Sequence, residues 1–252
     1  MAAPDAQAAQ MPFIKNLASS DRDLRTRSLA ALQAFLSQQS SLAPSSALKL
    51  WTGLYYALWM TDRPRPQQAL ASELASLPLD LPAPSVAPFL RAFWQVLSRQ
   101  WALIDALRMD KFLLLVRRVF AAHVRLARGA RWEGGLVDSI LEVLGTECFD
   151  VREGGVALGL RLHALDLWVD EMERERAVGD QAVGDDVPRG KFVRDVGRLV
   201  ERLRSSPVKS VRARASESFA DERLPWGAET TDEGGGHEDE DEEGGGWGGF
   251  ED

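Results

Sequence analysis

The segment from Asp105 to Arg128 constrains the fold more than any other part of the chain. Phe112, Leu115, Val116, Val119 and Leu126 recur at helical spacing, and Lys111, Arg117, Arg118, Arg125 and Arg128 read onto the other side. A stripe of that length is an amphipathic helix, with Asp105 placed to cap its first turn. Its apolar face needs other helices or a sheet to cover it. No stretch shows sustained period-two alternation with hairpin turns, so helices are left to do the covering.

The same spacing recurs along the chain. From Ser19 or Ser20 as an N-cap, Leu24, Leu29, Leu32, Phe35 and Leu36 mark a first helix. A second starts near Ser45 or Ser46, carries Leu48, Trp51, Leu54, Tyr55, Leu58 and Trp59, and stops at Asp62-Arg63-Pro64. A third runs from Pro66 to Leu77. Pro78, Pro82, Pro84 and Pro88 predict a connection that is not helical throughout. A fourth helix carries Phe89, Phe93, Trp94 and Leu97, and further helices are expected at about 135–149, 154–176, 191–204 and 207–221. The fold class is all-α, a HEAT-like stack of helical hairpins with eight or nine helices.

Charge divides the chain. Residues 227–252 hold eleven acids and no Lys or Arg, so the overall net charge of −8 conceals a body with a net charge of +3. The expected domains are a disordered N-terminus at 1–12, a helical domain at 13–227, and a disordered acidic tail at 228–252. With 45% hydrophobic residues the body can bury a sizeable core. One cysteine excludes a disulfide framework. Neither a secretory or transit signal nor a transmembrane span is evident, so a soluble intracellular chain without membrane contact is expected.

Catalytic constellations are missing from the sequence. There is no GxxxxGK[ST], no strand-borne GxGxxG and no HExxH. Cys148, among Leu144, Phe149 and Val151, reads as a small buried hydrophobe. His123 and His163 read as packed histidines, and His237 lies in the solvated acidic run. The expectation is no enzyme, no cofactor, no metal and no small-molecule substrate.

Surfaces carry more information. Residues 99–131 contain eight basic and two acidic residues, and 189–214 contain nine and two. In the second run Lys191, Arg194, Arg198 and Arg202 oppose Phe192, Val196, Leu199 and Leu203. Such faces are footprints for a polyanion, and Arg outnumbers Lys 25 to 5. Candidate contacts to RNA or an acidic partner are therefore Arg108, Lys111, Arg117, Arg118, Arg125, Arg128, Lys191, Arg194, Arg198 and Arg202. Trp59 is a candidate protein-partner anchor. Trp226, Trp247 and Phe250 are sparse aromatics in a polar segment, placed to act as docking residues.

LWTGLYYALWMTDRPRPQQ at 50–68, FWQVLSRQWALIDALRMDKFLLLVRRVF at 93–120, GLRLHALDLWVDE at 159–171 and LPWG at 224–227 resemble the ribosomal RNA processing protein 1 family. The resemblance covers residues 13–227, and its most specific stretch matches Trp101, Ile104, Asp105, Arg108, Asp110, Lys111, Phe112, Leu115, Val116, Arg117 and Arg118. It implies a non-catalytic, helical ribosome biogenesis factor in the nucleolus. Such a factor would scaffold early large-subunit (pre-60S) particles, be required for processing of the precursor rRNA, and bridge assembly factors and pre-rRNA. The competing reading is a helical adaptor that binds only proteins. The short acidic tail departs from the long basic extension of many relatives, which leaves RNA contact to the body.

Overall fold

The computed structural model describes residues 16–227 apart from 18, 20, 153 and 180–186. The expected disordered N-terminus, the acidic tail, His237, Trp247 and Phe250 lie outside the described residues, as does Ser20.

Nine α-helices and no strand are found among the described residues. They are α1 (Arg22–Ser37), α2 (Pro44–Trp59), α3 (Pro64–Ser76), α4 (Ala83–Gln100), α5 (Ala106–Gly129), α6 (Gly135–Val143), α7 (Leu158–Arg174), α8 (Pro188–Leu203) and α9 (Lys209–Phe219). Short 3₁₀ turns at Leu77–Asp80 and Trp101–Leu103 and a π-helical turn at Leu144–Cys148 fill the links. From α2 onward each helix packs on the next but one. Helices α2, α4, α6 and α8 make one layer, and α3, α5, α7 and α9 the other. Consecutive helices thus sit in opposite layers, which is the arrangement of a HEAT-like stack.

Aromatic side chains hold the layers together. Trp51 of α2 packs against Phe89 and Phe93 of α4 with ring centroids 5.0 and 4.9 Å away. Tyr55 stacks on Phe112 of α5 at 4.8 Å, and Phe120 meets Phe149 edge-on at 6.2 Å. Trp132, after α5, reaches Phe192 of α8 at 5.4 Å. Each such ring removes apolar area from water and contributes about 2–3 kcal/mol.

Three expectations about boundaries are corrected. Asp21 caps α1, its Oδ1 accepting from the Asp23 and Leu24 amides; Ser19 instead accepts from the Asp21 amide. Pro64 opens α3 two residues before Pro66, because both prolines fit a first turn whose N–H groups have no intrahelical partner. Pro84 and Pro88 lie within α4. Pro88 forfeits one hydrogen bond to the Pro84 carbonyl, and the burial of Val86, Phe89, Leu90, Phe93 and Trp94 outweighs that loss.

Candidate functional site

Asp105 caps α5 as expected: its Oδ1 accepts the Arg108 amide at 3.1 Å. The hydrogen bond and charge of the Arg108 side chain hold the Asp105 carboxyl below its ordinary value. The Arg108 guanidinium lies 4.9 Å above the Trp59 ring.

The cations of α5 are engaged inside the molecule. Lys111 is buried, which corrects its placement on the solvent side. Its Nζ donates to the carbonyls of Trp59 (2.7 Å) and Thr61 (3.0 Å) and lies 3.7 Å from Asp62, so it closes the C-terminal end of α2. The reason is angular: Lys111 precedes Leu115 by four residues, about 40° away on the helix and within the covered arc. Burial lowers the Lys111 pKa from its ordinary value, against the pull of Asp62. Arg118 donates to the Gln68 carbonyl and to Ser72 Oγ of α3.

The remaining three cations meet α7. Arg117 pairs with Glu171 at 2.7 Å and with Asp170 at 3.4 Å. Arg125 and Arg128 pair with Glu175 at 2.7 and 3.4 Å, and Arg128 also donates to the Glu175 carbonyl at 3.0 Å. Helix α7 collects further cations on its other flank. Arg214 of α9 bonds Asp166, and Arg223 bonds Glu173 at 2.7 Å and Asp170 at 3.1 Å. Glu171 and Glu175 are themselves buried. Burial pushes the Glu171 carboxyl up while Arg174 and Arg117 pull it down.

The α8 candidates are arranged differently. Lys191 and Arg198 share Asp195 at 2.9 and 2.7 Å, contacts within one turn of the same helix, and their side chains are 71% and 69% exposed. Arg202 is also exposed, and Arg194 is half-buried. Trp59 is half-buried against Tyr55 and Phe112. Exposed apolar residues in this part of the chain are Tyr56 of α2, Met60 just after it, Leu103 before α5 and Leu107 in the first turn of α5. Trp226 is not a free docking residue. It lies against Gly197 of α8 and Phe219 of α9, and its Nε1 donates to the Phe219 carbonyl at 2.9 Å. A Cβ at Gly197 would fall 2.3 Å from the Trp226 ring, so only glycine admits it.

The groups read as packed in the sequence are packed. Cys148 is fully buried, and burial pushes its thiol well up, away from the reactive thiolate. His123 is fully buried, with Nδ1 2.8 Å from the Val119 carbonyl and Nε2 accepting from Trp94 Nε1 at 3.3 Å. Burial lowers its pKa to about 4, leaving it neutral with the proton on Nδ1. His163 Nε2 lies 3.1 Å from the Leu113 carbonyl. Among the described residues no three His, Cys, Asp or Glu side chains are placed to hold a metal ion, and no helix is long and apolar enough to cross a membrane.

One buried cation carries little mark in the sequence. Arg161 of α7 lies between Leu160 and Leu162, and only its position four residues before Leu165 shows it as covered. It lines a cavity of about 670 Å³ beside the N-terminus of α7.

These features define a class: a two-layer helical-repeat protein whose charged side chains largely join its own helices. The sequence profile of the nucleolar protein family Nop52 matches residues 8–246, and the chain belongs to that family. Human ribosomal RNA processing protein 1 homolog B is 28% identical over 241 residues, covering 92% of this chain and 31% of the relative. Mouse ribosomal RNA processing protein 1 homolog A is 31% identical over 177 residues, covering 68% of this chain and 35% of the relative. The Drosophila melanogaster homolog is 29% identical over 174 residues, covering 66% and 25%. The chain spans about a third of the length of the first two.

Proposed function

We propose that the chain is a non-catalytic ribosome biogenesis factor of the nucleolus. In this reading it scaffolds early large-subunit precursor particles, and processing of the precursor rRNA depends on it. The observation that carries the proposal is the family match across residues 8–246, which takes in the whole two-layer stack. Rigid stacks of this kind offer extended surfaces to several partners at once. The test is replacement in cells depleted of their own family member. Expected outcomes are recovery of mature large-subunit rRNA and co-sedimentation of the tagged full chain with large-subunit precursor particles. Persistent precursor and a tagged chain absent from those particles would contradict it.

Within this reading, contact with pre-rRNA belongs to the α8 strip of Lys191, Arg194, Arg198 and Arg202. The Lys191 and Arg198 side chains are 71% and 69% exposed and share one carboxylate, Asp195, within their own helix, so both cations present donors to solvent that a phosphate can reach. Neutralising Arg198 and Arg202 is expected to weaken RNA binding evenly across sequences and to lower the salt slope by about 0.7 to 0.9 for each phosphate no longer neutralised. A second reading, a helical adaptor without direct RNA contact, is favoured by one observation. Lys111, Arg117, Arg118, Arg125 and Arg128 are all held by acceptors within the fold. An unchanged salt slope in the α8 variant, together with failure to bind a protein partner, would select it.

A further inference from the structure

The cavity beside α7 is walled by Trp94, Gln95 and Ser98 of α4, by Glu147, and by Ser206–Val208. Arg161 is 3% exposed, and its Nη2 donates to the Arg152 carbonyl at 3.2 Å. Among the described residues its Nε has no hydrogen-bond partner. The charge of Asp150 reaches Arg161, but that carboxylate is bonded to Arg152 at 2.8 Å. A covered cation without a bonded counter-charge is costly, and the cost falls once an anion enters. Helix α7 begins at the same cavity with no side-chain cap, and the Ala157 amide donates to Ser98 Oγ at 2.8 Å. The positive end of a 17-residue helix therefore faces the same space as the buried guanidinium.

The opposing carboxylate is already answered: Glu147 accepts from Gln95 at 2.8 Å and lies 3.4 Å from Arg91. Exposed Arg99 adds a second cation to the lining. The rim is apolar, with Val151 42% and Leu158 48% exposed. A phosphodiester chain would set sugars and phosphates against these aliphatic groups, and among the described residues the one aromatic of the lining, Trp94, is fully buried and offers no face on which a base could stack. A carboxylate flanked by apolar side chains matches both the cations and the rim.

We infer that this cavity takes an acidic peptide segment of a partner protein. Its carboxylate sits against Arg161 and the start of α7, and its apolar neighbours cover Val151 and Leu158. This goes beyond the scaffold reading and does not depend on whether the chain touches RNA.

The test selects a random dodecapeptide display library on the full chain with counter-selection on the full-chain variant Arg161→Met. Binding of the selected peptides is then measured by fluorescence anisotropy. Expected are peptides enriched in Asp or Glu beside apolar residues, at least tenfold weaker binding to Arg161→Met, and no displacement by an RNA oligonucleotide. Methionine fills the space of the guanidinium stem, so Arg161→Met is expected to melt no lower than the parent. Should that variant fail to fold, Leu158→Glu decides the question. The site is exposed, glutamate suits the first turn of a helix, and the new charge at the rim should weaken binding at least tenfold. No acidic enrichment, equal binding to the variants, or displacement by RNA that depends on Arg161 would overturn the proposal.

Discussion

Lys111 shows how one side chain can serve two helices. It grows from the core side of α5 and ends on two carbonyls at the end of α2, one bond buried and the other part-buried, acceptors that the helix itself leaves without a partner. Replacing it with methionine keeps the stem and strands both acceptors, and urea unfolding is expected to register a loss of roughly 2–4 kcal/mol. A surface lysine would lose less than about 0.5 kcal/mol. The angular position of Lys111, four residues before Leu115, marks it as covered, and its charge led the sequence reading to set it on the solvent side instead. Its partners were not legible, since Trp59 and Thr61 lie about fifty residues away and carbonyls leave no trace in a sequence. His123 makes a second prediction. Its pKa in the fold is lowered to about 4 from 6.5, so as the pH falls the unfolded chain takes the proton first. The stability it contributes is complete above pH 6.5 and is lost between 6.5 and about 4, on the order of 3 kcal/mol in all. Burial lowers the His163 pKa too, so it acts with the same sign. Glu147 and Glu171, raised by burial, act with the opposite sign. The comparison must therefore be between the parent and His123→Gln, whose amide can make both of the same hydrogen bonds. The variant should lose less stability between about pH 7 and pH 4.5, and parallel curves would refute the assignment.

The long helices α5 and α7 end in the same device. Beyond each stands an arginine in the left-handed region, Arg131 at φ 57° and Arg176 at φ 60°. The next amide reaches back to the helix: Trp132 to the Ala127 carbonyl at 2.7 Å, and Ala177 to the Met172 carbonyl at 2.8 Å. Arg131 and Arg176 likewise donate to the Arg128 and Glu173 carbonyls, so both ends are Schellman motifs. Glycine is the residue such a position favours. Arg131→Gly and Arg176→Gly are each expected to raise stability by roughly 0.5–1 kcal/mol, read as a higher urea midpoint at unchanged slope. The start of α5 was easier to read than its end, because Asp105 carries its acceptor on the side chain whereas a left-handed arginine has no compositional mark. Pro88 misled for a related reason. Its local preference argues for a break, and packing of the residues around it in α4 decides otherwise.

At the scale of the whole molecule, apolar periodicity settled the two layers, because each amphipathic helix buries its stripe only against others like it. The charge pattern was harder to interpret. A basic face on α5 has the same sequence signature whether it meets a polyanion outside or a row of acids inside, and the acids stand some fifty residues further on in α7. Asp166, Asp170, Glu171, Glu173 and Glu175 receive cations from α5, α9 and the Arg223 turn, which ties three neighbouring elements to one helix. The basic residues of the family-like stretch in α5 are therefore joints of the stack. The decisive measurement is a double-mutant cycle on Arg117 and Glu171 by equilibrium urea unfolding of the full chain, using Arg117→Leu, Glu171→Leu and both together. A joint predicts a coupling of about 1–3 kcal/mol, with each single variant destabilised and the double variant partly restored. A coupling below about 0.3 kcal/mol, with Arg117→Leu as stable as the parent, would mean that the α5 face is an ordinary solvated surface available to a partner.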